Sequence, residues 1–242
     1  DYRIALTSIP LPAMASRVTL APLGDGPVDL AATGLEPERR GVRVLSFGFP
    51  GAQASILDRW QFDNIAFQLR RLAPSLLIVA FGTNEGFQVA ERLEGYGPAF
   101  DRRTALLRRG APDASLVIVG SPAAHRLPRH CALTPEAQDL APCSPLSASE
   151  RARYDLMMAR ADPALCRWHT PAALTTIRAD QAAAAKRLGA TFWDWSALMP
   201  SECGLDDWYR RSLAHRDRVH LRQDGYWRSA DDLLAHLLNG AR

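Results

Sequence analysis

Two apolar runs without any alternation, "SLLIVAF" (Ser75–Phe81) and "SLVIVG" (Ser115–Gly120), set the tightest limit on how this chain can fold. A strand with one wet face alternates polar and apolar residues. An unbroken run needs cover on both faces, as in a parallel sheet held between layers of helix. The segments around the two runs fit that arrangement. "VRVLSF" (Val42–Phe47) and "ATFWDW" (Ala190–Trp195) read as two further strands. Helical spacing of apolar residues runs from Ile56 through Trp60, Ile65, Phe67 and Leu69 to Leu72. Further helices are expected over Pro98–Arg109, over Pro171–Leu188 with Thr170 as N-cap and Gly189 as the stop, and over Asp224–Leu238. Residues 121–150, rich in Pro and Ala, read as a long loop. The expectation is an α/β fold with a mostly parallel sheet.

Residues 1–41 have a different texture. "YRIALTSI", "RVTLAPL" and "GPVDLAATGLE" read as short strands, with Gly24-Asp25-Gly26 where a hairpin turn is expected. The chain is therefore divided into a β-rich segment, 1–41, and an α/β domain, 42–242.

In parallel sheets ligands bind at the carboxyl ends of the strands, which singles out four loops. "GFPGA" follows Val42–Phe47, "GTNE" follows the Ser75–Phe81 run, and "GSPA" follows the Ser115–Gly120 run. The loop Asp217-Arg218-Val219-His220 follows the last strand. A His three residues from an Asp can be a general base whose tautomer the carboxylate fixes; alone, such a pair is more often a solvated surface pair. Asn84 can aim its side-chain amide at a developing oxyanion, or cap a turn. Gly51 can offer an unobstructed backbone N–H to the same oxyanion, or simply make a tight turn. Arg218 and Arg222 flank the His and read as a solvated basic face. His125, His130, His169 and His215 fit no metal-ligand spacing.

In this order, each after a strand, the pieces resemble the SGNH/GDSL hydrolases. Ser46-Phe47-Gly48-Phe49-Pro50-Gly51 matches the second block of that family, NxGxxG, with Ser for Asn. Gly82-Thr83-Asn84-Glu85 matches the third, GxND, with Glu for Asp, and Asp217-Arg218-Val219-His220 matches the last, DxxH. The resemblance implies a flavodoxin-like three-layer sandwich and a serine ester hydrolase without metal or organic cofactor. In it His220 is the base, Asp217 its partner, and Gly51 and Asn84 the oxyanion donors. "AFGTNEGF", "FWDWSALM" and "RDRVHLRQDGY" are similar to exported esterases that remove O-acetyl groups from peptidoglycan or other polysaccharides. An acylated carbohydrate is the substrate so implied. Residues 1–41 would be the tail of a carbohydrate-binding-like β domain inserted between the first two blocks.

The family's nucleophile is the Ser of a first block, GDS, and no GDS occurs in the sequence. Either Gly26 of Gly24-Asp25-Gly26 stands in its place and the protein is an inactive carbohydrate binder, or the block lies upstream. The second reading is preferred, because "PVDLAATGLEPERRG" is a poor helix where the family has a long one. It implies a partner, an N-terminal polypeptide carrying the missing strand and Ser. Transfer of the acyl group to a polysaccharide hydroxyl would use the same residues. The start at Asp1, without Met or signal peptide, reads as a processed product or a fragment.

Composition bears on the partners. The 29 basic and 26 acidic residues give a net charge of only +3, and the Arg residues are scattered, so no nucleic-acid footprint is expected. No apolar run approaches the ~20 residues of a membrane span. Cys131, Cys143, Cys166 and Cys203 are compatible with two disulfides and a periplasmic or secreted protein, or with free thiols in a cytosolic one.

Overall fold

A computed structural model describes the chain apart from residues 1–4, 6, 13–14, 31–32, 35–40, 132–133 and 241–242. It divides into two compact units, Asp1–Gly48 and Phe49–Arg242.

In the second unit three of the expected strands form one parallel sheet. They are β1 (Leu76–Ala80), β2 (Ser115–Gly120) and β3 (Thr191–Asp194), in the order β1-β2-β3. Leu77 pairs with Leu116 and Val79 with Ile118, while Val117 pairs with Thr191 and Val119 with Trp193. The longer helices are α1 (Phe62–Leu72), α2 (Tyr96–Gly110), α3 (Ala172–Leu188), α4 (Gly204–Arg210) and α5 (Gln223–Gly240). On one face, Val79, Leu116 and Ile118 pack with Phe100 of α2 and with Ile177 and Ala184 of α3. On the other, Val117, Val119 and Trp193 pack with Leu233 and Leu237 of α5. Two indole N–H groups fasten α5 to the end of β3: Trp193 donates to Asp232 (2.8 Å) and Trp195 to Ser229 Oγ (2.8 Å). Helices thus cover both faces of a parallel sheet, the three-layer arrangement of flavodoxin-like folds.

Cover on both faces is complete for β2, whose residues from Leu116 to Val119 are at most 5% exposed. It is incomplete for β1. That strand lies at the edge of the sheet, and on its α5 side Leu76 and Ile78 remain 37% and 48% exposed.

Several elements depart from the periodicity. The helical pattern over 56–72 is broken by extended backbone at Trp60, which leaves a 3-10 turn, Ala54–Arg59, and then α1. The N-cap of α3 is Pro171, whereas the Thr170 hydroxyl donates to the Glu202 carbonyl (3.3 Å); Gly189 ends the helix in the left-handed conformation as expected. The loop after β2 contains a helical turn, Pro135–Leu140, capped by Thr134, and α4 had no sequence signal. The four cysteines pair as Cys131–Cys166 and Cys143–Cys203, tying this irregular region to the segments before α3 and α4. Closing loops of 35 and 60 residues confines the unfolded chain by about 4 kcal/mol each in the chain-entropy account.

Among the described residues of Asp1–Gly48, none lies in a helix or strand and all are exposed. The strands expected over "RVTLAPL" and Val42–Phe47 therefore do not form, because extended backbone becomes a strand only with a neighbour to accept and donate its hydrogen bonds. Parts of "YRIALTSI" and "GPVDLAATGLE", including Ala32, lie outside the described residues.

Two histidines are buried in the second unit. His125 and His169 are 1% and 0% exposed, and burial pushes both imidazoles down to about 4. Their unfolded forms take up protons near pH 6.5 and their folded forms do not. Stability is therefore full above pH 6.5 and falls as pH drops toward 4, by up to about 3 kcal/mol for each His. Ring-proton NMR should find His125 and His169 neutral at pH 5, with urea midpoints falling between pH 6.5 and 4. Ordinary titration of all six would contradict this.

Candidate active site

The loops at the carboxyl ends of the strands are held together by buried polar groups. Gln181 of α3 is 0% exposed. Its amide donates to Phe81 O (2.7 Å), after β1, and accepts from Ser121 N (3.2 Å), after β2. Gly82 follows with φ +116, and a Cβ there would sit 2.7 Å from the Gln181 amide nitrogen. Only glycine allows the chain to turn over that amide.

Glu85, 4% exposed, accepts from Gly82 N (3.0 Å) and from Ala54 N (2.7 Å). Asn84 donates its side-chain amide to Ala52 O (2.8 Å). The turn after β1 is thereby clamped to the Gly51–Ala54 turn. Gly51 has φ +74, and its N–H has no intramolecular acceptor among the described residues.

Across from these turns lies the loop before α5. An antiparallel bridge between Ala214 and Leu221 closes it, with His215 N donating to His220 O (2.8 Å) and Arg218 N to His215 O (3.0 Å). Asp217 Oδ1 accepts from the backbone N–H groups of Val219 (2.9 Å) and His220 (3.0 Å). Its Oδ2 lies 2.8 Å from His220 Nδ1. Burial pushes the Asp217 carboxyl up. The hydrogen bonds from the His220 backbone, the His220 ring and the Val219 backbone outweigh it, so the group sits below its usual value. A carboxylate facing Nδ1 fixes the proton there and leaves Nε2 as the basic nitrogen.

Gly51, Asn84, Asp217 and His220 line one cavity of about 390 Å³, with Gln53, Phe87, Gln88 and Val219. The four residues singled out by the sequence thus come together, with the acceptor of a proton on one side and donors for an oxyanion on the other. Among the described residues that line it there is no Ser, Thr or Cys. Ser121, in the "GSPA" loop after β2, is 1% exposed and is not among the residues that line the cavity.

Two features escaped the sequence. In the sequence Glu85 stood out only as the Glu in place of Asp in GxND, yet its carboxylate joins two turns; an acid placed shortly after a buried apolar strand was the available signal. Arg218 is not part of a solvated basic face. It is 1% exposed, with its guanidinium over the rings of Tyr209 (3.7 Å) and Trp168 (4.5 Å). Arg222 is exposed, as expected. The group His130, Cys131 and Cys166 comes close enough to suggest metal ligands, but both thiols are taken by their disulfide.

No protein-family model and no curated protein matches the chain. A solved structure of a peptidoglycan O-acetylesterase is similar to it, with a TM-score of 0.59 and 23% sequence identity. The match covers 78% of this chain and 44% of the other, so the chain spans less than half the length of that structure. The likeness bears on the fold.

Glu85 should be needed for stability as well as for the cavity. Glu85→Ala leaves the N–H groups of Gly82 and Ala54 without their acceptor and should cost about 3 kcal/mol in denaturant unfolding. Glu85→Gln, which keeps one acceptor oxygen, should cost less. Equal stability of all three proteins would show that the clamp is not formed.

Proposed function

We propose that this chain carries the base and oxyanion groups of a serine ester hydrolase of the SGNH type, acting on O-acetyl groups of a carbohydrate polymer such as peptidoglycan. The observation that carries the reading is the convergence of the Asp217–His220 pair, the Gly51 N–H and the Asn84 amide around one cavity. The similarity to a peptidoglycan O-acetylesterase structure supports it.

In this reading a serine hydroxyl attacks the acetyl carbonyl while His220 Nε2 takes its proton. The Gly51 N–H and the Asn84 amide hold the oxyanion. The C–O bond to the sugar then breaks, and the sugar oxygen leaves with the proton from His220. Water attacks the acetyl-enzyme, again giving a proton to His220, and acetate departs as the serine is restored. Asp217 holds the ring and stabilises the imidazolium. No cofactor enters this scheme.

The serine is supplied by a strand outside residues 1–242, carried by an N-terminal polypeptide. Among the described residues no strand pairs with the outer edge of β1, which supports this. A strand added there in parallel ends beside Gly82–Asn84, at the rim of the cavity, and covers a row of N–H and C=O groups that protein sheets seldom leave open beside apolar side chains. Residues 1–41 would be the remainder of a carbohydrate-binding-like β domain and 42–242 the hydrolase domain. The two disulfides are consistent with a periplasmic or secreted protein. Among the described residues no helix is long and apolar enough to cross a membrane.

The test is acetate release from an acetylated model ester by the intact precursor. His220→Ala should lower the rate by about 10³-fold or more. Asn84→Ala should lower kcat by about 10²-fold. Equal rates for the precursor and its His220→Ala form would sink the assignment.

A further inference from the structure

We propose that Arg218 is the positioning residue of the Asp217–His220 pair, a role that rests on the reading of His220 as the base. The side chains on either side of it point out: Asp217 and His220 are 49% and 70% exposed. Arg218 points in, and almost nothing of it reaches water. Its guanidinium lies between Tyr209 and Trp168, donates to Asp206 Oδ1 (3.3 Å) and to the Arg216 carbonyl (2.6 Å), and faces Asp139 at 3.7 Å. Cation–ring stacking and a buried carboxylate compensate a charge that could not otherwise leave water.

This burial dictates the backbone. Arg218 has φ +49, a conformation that costs a non-glycine residue about 1 kcal/mol or more. The strain lets the guanidinium enter the cage while its neighbours turn outward. The bond from Arg216 O to the Arg218 side chain closes the turn, and His125 N donates to Arg218 O (2.8 Å), fixing the loop to the segment after β2. The Asp217 carboxylate is thereby set beneath the N–H groups of Val219 and His220 and against His220 Nδ1.

The cage is itself tied down covalently. Cys143 pairs in a β-bridge with Trp168, one wall of the cage. Its disulfide partner, Cys203, accepts the N–H of Asp206 on its carbonyl (2.9 Å). One disulfide therefore spans the aromatic wall and the carboxylate that together hold the guanidinium.

The tautomer of His220 reads this role directly. Long-range ¹H–¹⁵N spectra of the ring in the 242-residue protein, above the pH of imidazole titration, should find the proton on Nδ1. In Arg218→Met the loop loses its anchor, and the proton should move to the mixture of a free ring, in which Nε2–H prevails. Asp206 keeps a partner there, since Arg210 lies 2.8 Å away. Arg218→Lys, which restores the charge but not the planar stack, should fall between. Tyr209→Leu, which removes one ring wall and leaves every residue of the loop unchanged in sequence, serves the same purpose if Arg218→Met does not fold. In the precursor, the variants should lose about 10²-fold in kcat with KM little changed. A wild-type ring protonated on Nε2 would overturn the assignment of His220 as base. An Nδ1–H tautomer kept by every variant would overturn the role of Arg218 and leave that of His220 standing.

Discussion

Two charges removed from water hold the cavity, a carboxylate on one side and a guanidinium on the other. Glu85 and Arg218 are 4% and 1% exposed, and each is held by several partners at once. A buried charge tolerates few arrangements, because every lost partner costs more than a neutral hydrogen bond would. Glu85 thus freezes the turns bearing Gly51 and Asn84, and Arg218 freezes the loop bearing Asp217 and His220. Asn84, Asp217 and His220 lie one or two positions from an anchor, and Gly51 lies three from Ala54, whose N–H Glu85 accepts.

The sheet brings these loops to one rim but does not by itself align them. Directly after β2 and β3 come Ser121 and Trp195, whose partners, Gln181 and Ser229, belong to helices on opposite faces. The disulfides extend this fastening to the region after β2, which buries two smaller clusters of its own, around Leu146 and Tyr154 and around Leu205 and Trp208. A chain with so much irregular structure between its strands gains from covalent closure what it lacks in regular packing.

The apolar runs made β1 and β2 legible, since an unbroken run admits few environments, and β3 was read from the shorter "ATFWDW". The helices α2, α3 and α5 followed from periodicity and caps, to within two residues at each end. Val42–Phe47 reads as well as any of them and forms no strand. Its composition is that of a strand, but strand formation is a property of pairs, and a sequence read alone does not supply the neighbour. The same limit applies to the cavity. Gly51, Asn84, Asp217 and His220 lie on loops that the parallel topology sends to one rim, so their meeting was legible. Arg218 was not: nothing local distinguishes a charged residue that faces water from one folded into a cage made by Trp168, Tyr209 and Asp206, 50, 9 and 12 residues before it. The cysteine pairing, spread over 35 and 60 residues, was hidden for the same reason.

The contrast between buried anchors and an exposed dyad bears on what the cavity lacks. At 70% exposure the His220 ring is bathed in water, which weakens its interaction with any developing charge and competes for its proton. Oxyanion donors are strong where water is excluded. The exposed face of β1, with Leu76 and Ile78, belongs to the strand whose carboxyl end leads into the cavity. A strand laid along that edge would act on both: it would pair the open N–H and C=O groups beside the apolar side chains and bring its own carboxyl end, with whatever side chain follows, against the Gly51 and Asn84 donors. The proposed nucleophile and the proposed exclusion of water then have one source. A hydroxyl supplied without its strand, for example on a free small alcohol, would meet the same base and the same donors in a wet cavity. It would gain little from either.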